Sequence, residues 1–119
     1  MSATVTETDT ARALGSGDVD VLGTPRVLAL AEAATVRAAA DSLVPGQTTV
    51  GTHVELDHLA PSPVGATVRA EARLVDRTAR RLTFEVRVTQ DGRPVATGRV
   101  TRAIVDRDRF AQASTEDRG

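Results

Sequence analysis

One stretch of this chain repeats its apolar residues at helical spacing, and four stretches after it alternate apolar with polar residues. That order constrains the fold more than any other feature. Residues 24–42 carry the helical pattern, and their apolar positions are mainly alanine, with Val27, Leu28, Leu30 and Val36 as the larger exceptions. Thr24 offers a hydroxyl that can cap free N–H groups, and Pro25 suits the first helical position. Val44-Pro45-Gly46-Gln47 ends the helix.

The alternating stretches are 48–58 (Val50, Val54 and Leu56 on one face), 66–76 (Val68, Ala70, Ala72, Leu74), 81–90 (Leu82, Phe84, Val86, Val88) and 94–106 (Val95, Thr97 and Val100 before Ile104). Asp91-Gly92 signals a tight hairpin, and 60–65 reads as a loop. Residues 3–8 alternate weakly, as a short strand would, and 9–22 read as a loop. A sheet with one apolar face needs a cover, and an alanine-rich helix can lie close in a curved sheet. The expected architecture is α+β, an antiparallel sheet wrapped around one long central helix. Residues 1–110 form this single domain, with 111–119 as a disordered polar tail.

A chain of 119 residues with two aromatics, Phe84 and Phe110, has room for one modest core, so an oligomer would help to stabilise it. A net charge of −1 argues against a nucleic-acid partner. All fifteen basic residues are arginine. The absence of cysteine removes disulfides and thiol chemistry, and the two histidines have no ligand spacing, so no metal is expected. No basic-then-apolar leader and no apolar run of about 20 residues is visible, which points to a cytoplasmic protein without a membrane partner.

Glu32 breaks the helical pattern. At about 100° per residue, Arg26, Arg37 and Asp41 fall within about 60° of one another as a solvated stripe, whereas Glu32 lies about 120° from Arg26. Its one-turn neighbours are Leu28 and Val36, on the face expected to pack inward. A carboxylate there costs free energy unless something pairs with it.

Strand parity puts His58 on the same side as Val54 and Leu56, so His58 is the natural partner of Glu32. Such a pair can work as base and acid near neutrality. Thr24 sits at the helix N-terminus, where N–H groups and the helix dipole can stabilise an oxyanion. Each residue also has a plainer reading. Glu32 suits a structural acid paired with an arginine, His58 a satisfied core histidine, and Thr24 a helix cap.

The segments VLGTP at 21–25, AEAA at 31–34, LVPGQTTVGT at 43–52 and DHLAPSPVG at 57–65 resemble the fluoroacetyl-CoA thioesterase family of hot-dog proteins. The likeness continues through RRLTFEV at 80–86, GRVTRA at 98–103 and Arg109-Phe110, covering about residues 5–110. The resemblance implies a dimeric hot-dog fold and an acyl-CoA thioesterase using Thr24, Glu32 and His58, with Gly51 and Arg102 on the substrate. It implies no cofactor, coenzyme A being part of the substrate, and a homodimer that allows a tetramer. Arg99, Arg102, Arg107 and Arg109 are candidates for CoA phosphates, with a solvated charged strand end as their plainer reading.

The fluoroacetyl-specific enzyme carries phenylalanines in a lid before the helix, whereas 14–20 here hold no aromatic residue. The resemblance therefore extends to scaffold and acid/base set and leaves the acyl group open. Two rivals are a hydratase or dehydratase on the same fold, whose Asp/His or His-Phe-Pro motifs are absent, and a non-catalytic acyl-CoA binding module.

Overall fold

The computed structural model describes residues 1–116. Five strands, β1 (Ser2–Thr4), β2 (Gln47–His58), β3 (Thr67–Arg77), β4 (Arg81–Gln90) and β5 (Arg93–Asp106), form one sheet in the order β1-β3-β4-β5-β2. Every pairing is antiparallel. Gln90 pairs with Arg93 across the two-residue turn, where Asp91 (φ 50°) and Gly92 (φ 78°) both take positive φ. That geometry matches the right-handed twist of the flanking strands, which is why Asp-Gly signals a hairpin.

The long helix α2 (Thr24–Ala39) crosses one face of the sheet, and a short 3₁₀ turn at Ala40–Ser42 follows it. Val27, Leu30, Ala31 and Ala34 of α2 meet Val68 and Ala70 of β3, Leu82, Phe84, Val86 and Val88 of β4, and Ala96 and Val100 of β5. Each fully buried Val, Leu or Phe contributes about 1.5–3 kcal/mol, and the alanines let the helix axis lie close to the strands. The stretch expected as loop over 9–22 contains a single helical turn, α1 (Ala11–Leu14), closed by Gly15 at φ 73°.

Two expectations change. The chain after β5 continues as α3 (Arg107–Glu116), so the tail expected to be disordered from 111 is helical as far as Glu116; 117–119 lie outside the described residues. Its start is capped, since Asp106 Oδ1 accepts the Arg109 N–H at 2.9 Å. The stripe Leu28–Glu32–Val36 is not packed beneath its own sheet either. Leu28 is half-buried and Val36 is 49% exposed. The helix leans over β3 and β4 more than over β2, so its β2 side stays open. Beside it, β2 presents twelve residues as a sheet edge with no strand beyond it among the described residues.

Candidate active site

The start of α2 is built for something other than capping itself. Gly23, not Thr24, is the N-cap, and no side chain caps the helix. A Cβ at Gly23 would lie 3.0 Å from Leu14 Cδ1 and 3.1 Å from Ala11 Cα, so the tight seat of α1 favours glycine there. The Thr24 hydroxyl is spent elsewhere, on His58 Nδ1 at 2.8 Å. His58 ends β2, and its Nε2 is buried with no partner among the described residues. The helix thus offers an uncapped N-terminus with its positive dipole end beside a hydroxyl–imidazole pair.

Asp9 locks this corner. Its carbonyl accepts the Gly23 N–H at 2.9 Å, and its carboxylate pairs with Arg26 at 3.1 Å. The Thr6 N–H, 2.8 Å from Oδ2, is the main reason its carboxyl is held below the ordinary carboxylate range; Arg26 acts in the same direction, against partial desolvation.

Glu32 lies two turns further on, about 12 Å along the axis and about 80° around it. Its side chain is 36% exposed, and Oε2 sits 3.3 Å from Arg102 Nη1. Arg102 itself is 6% exposed. A buried guanidinium is costly unless it is hydrogen-bonded, and here each of its three nitrogens has a partner. Nε donates to Thr49 Oγ1 at 2.9 Å, Nη2 to the Thr49 carbonyl at 3.3 Å, and Nη1 also to Thr35 Oγ1 at 3.5 Å. The Thr35 hydroxyl in turn donates to the Glu32 carbonyl at 2.6 Å.

Gly51, directly opposite Arg102 in the β2–β5 ladder, completes this group. A Cβ there would stand 2.6 Å from Glu32 Oε2, so only glycine admits the carboxylate. The register slips between Gly51 and His53, a bulge of the kind that re-aims strands next to functional sites.

The five candidates therefore fall into two groups. Thr24 joins His58, and Glu32 joins Arg102 and Gly51. Glu32 and His58 share no hydrogen bond or ion pair within the chain, so the direct pairing expected from parity does not form there. Thr35 and Thr49 escaped sequence reasoning. The shared parity of Val100, Arg102 and Ile104 was the available signal, since an arginine on an inward face needs partners on neighbouring elements. Among the described residues no group of three or more His, Cys, Asp or Glu side chains could hold a metal ion, and no helix is long and apolar enough to cross a membrane.

The profile of a family described as fluoroacetyl-CoA-specific thioesterase matches residues 5–108. A fluoroacetyl-CoA thioesterase from Streptantibioticus cattleyicolor is 33% identical over 91 residues, which span 76% of this chain and 66% of that protein. The crystal structure of a point mutant of the fluoroacetyl-CoA-specific thioesterase, in complex with fluoroacetate and CoA, superposes with a TM-score of 0.91 at 28% identity, covering 98% of this chain and 96% of that one. A thioesterase superfamily member from Thermus thermophilus has the same fold, with a TM-score of 0.91 at 24% identity over 99% of this chain and 88% of its own. The fold is the hot-dog fold, and the chain belongs to the fluoroacetyl-CoA-specific thioesterase family.

Proposed function

We propose that the protein hydrolyses an acyl-CoA thioester to the free acid and CoA, working as a homodimer. The observation that carries this reading is the state of Glu32. One carboxylate oxygen is gripped by a buried arginine, while the side chain stays partly exposed and Arg102 leaves the other oxygen free. A carboxylate held so can take a proton from water or attack a carbonyl carbon itself.

The separation of about 12 Å along the helix axis between Thr24 and Glu32 favours a composite site. Residue 28 is midway between them, so a two-fold axis near Leu28, with the α2 helices antiparallel, would bring Thr24 and His58 of one protomer level with Glu32 of the partner subunit. The open stripe Leu28–Glu32–Val36 and the free edge of β2 supply the surface such a dimer would cover. The thioester carbonyl would then rest at the N-terminus of α2. Water loses its proton to Glu32 as its oxygen adds to the carbonyl carbon, and the α2 N-terminus holds the oxyanion. On collapse the C–S bond breaks, and the thiolate leaves beside His58. No cofactor takes part.

Release of free CoA thiol, measured over short, branched, aromatic and long acyl-CoAs, tests the reading; the protein has no cysteine to interfere. Glu32→Gln should lower kcat by about 10²–10⁴-fold with the fold intact. Absence of thiol release from every thioester would sink the proposal.

A further inference from the structure

The arginines available for CoA phosphates are fewer than the sequence suggests. Arg99 faces Glu85 at 3.7 Å and Arg102 is buried under Glu32. The cleft of about 790 Å³ on the outer face of the sheet is lined by Glu55, Asp57, Glu71 and Glu85 as well as Arg73, Arg87 and Arg99. Glu85 there already holds both Arg73 and Arg99, and acids outnumber bases, so that surface offers phosphate no net positive charge.

A second cleft, of about 450 Å³, differs in kind. It lies between α3, the β3–β4 turn and the end of β5, and is lined by Arg80, Arg109, Phe110, Gln47 and Asp106 together with aliphatic residues. Neither Arg80 nor Arg109 has an ion pair among the described residues. Of the chain's two aromatic residues, Phe84 is fully buried and Phe110 is 47% exposed, at this cleft. Asp106 is engaged as the cap of α3, leaving two guanidinium groups against one carboxylate. The walls are fixed by main-chain bonds, Ile104 N–H to Arg80 at 2.8 Å and Arg107 N–H to Gly46 at 2.9 Å. Arg102 lies four residues up β5 from Asp106, about 13 Å away at strand rise, a span that the pantetheine arm of CoA can cover.

We propose that this cleft binds the 3′-phosphoadenosine diphosphate end of an acyl-CoA, with Arg80 and Arg109 on its phosphates and Phe110 against its base. The assignment rests on the thioesterase reading and adds where the nucleotide lies. Guanidinium groups suit phosphate oxygens, and an exposed ring suits a purine face. The protomer that supplies Glu32 then also holds the nucleotide.

Adenosine 3′,5′-bisphosphate, a fragment of CoA without the thioester arm, is the probe. Calorimetric titration of the full chain should show salt-sensitive binding, and the Arg80→Ala/Arg109→Ala variant should weaken it about tenfold or more. The same variant should raise KM for an acyl-CoA by a similar factor while kcat changes less than about twofold, because uniform binding is what it removes. Phe110→Ala should weaken binding of the bisphosphate and leave inorganic phosphate unaffected. Undetectable binding to the wild type, or equal binding by the double variant, overturns the proposal. Bisphosphate binding that depends on both arginines, in a protein that cleaves no thioester, would remove the thioesterase reading and leave the nucleotide site standing.

Discussion

Arg102 Nη1 stands 3.3 Å from Glu32 Oε2 across seventy positions of sequence, and its Nε is tied to the Thr49 hydroxyl on the neighbouring strand. The carboxylate is thus aimed by an arginine that is itself aimed by a threonine. Neither end of this relay is free to wander: Thr35 holds the main chain of Glu32 while Arg102 holds its side chain.

Thr49→Val keeps the shape of residue 49 and removes the acceptor of the Arg102 Nε–H. It should lower kcat about tenfold with little change in KM, the cost of one lost buried hydrogen bond to a charged group. Thr49→Ser should recover most of the loss. Steady-state kinetics of the two variants check this, and an undiminished kcat in Thr49→Val would show that the hydroxyl does not aim Arg102.

Gly51→Ala places a methyl group 2.6 Å from Glu32 Oε2, closer than any stable contact. The carboxylate must move, and misplacing a reacting group by about 1 Å costs on the order of 100-fold in rate. Hydrolysis assays should show that loss in kcat, with thermal unfolding reporting a much smaller change because the glycine is at an exposed edge.

Asp9 makes stability depend on pH. Its carboxyl is lowered in the folded protein, chiefly by the Thr6 N–H, so it stabilises the fold above its ordinary value and ceases to do so as the pH falls through the lowered one. Asp9→Asn should therefore be less stable than the wild type at pH 7, by about 1 kcal/mol at most for so local a contact. The difference should begin to narrow at about pH 4 and close in stronger acid, below the lowered value. Urea unfolding of both proteins at the two pH values decides it, and a gap that persists unchanged in acid would place the effect elsewhere.

The segment before α2 bears on the acyl group. Arg12 clamps it, donating to Asp20 Oδ1 and the Asp18 carbonyl, both at 2.8 Å, and Leu14 and Val19 are its exposed apolar side chains. With no ring to shield a fluoromethyl group from water, fluoroacetyl-CoA should be preferred over acetyl-CoA by less than about tenfold, a gap of one modest contact. Competition between the two thioesters gives the ratio of kcat/KM directly.

The strand pattern was readable because alternation and the Asp91-Gly92 turn are local properties; β4 spans Arg81–Gln90, the alternating stretch itself. Glu32 stood out for the same reason, as a charge off the polar stripe of its own helix. What lay across elements was harder. Thr24 has the chemistry of a cap, and only the position of His58 shows why Gly23 takes that role. Wheel angles placed Leu28 and Val36 away from the arginines, yet could not say that the helix leans away from β2. The tail from 111 is polar by composition, and the Asp106 cap that starts α3 is the local signal that composition hides.

The separation of Thr24 from Glu32 along α2 has a kinetic consequence. On the composite reading neither group of side chains is a catalyst by itself, so the smallest unit that turns over is the pair of chains. Specific activity then depends on how much protein is in the tube: constant while dimers dominate, and falling with dilution once protomers part. Substrate that bridges the two chains would oppose that parting, so the enzyme should hold together best while it is working.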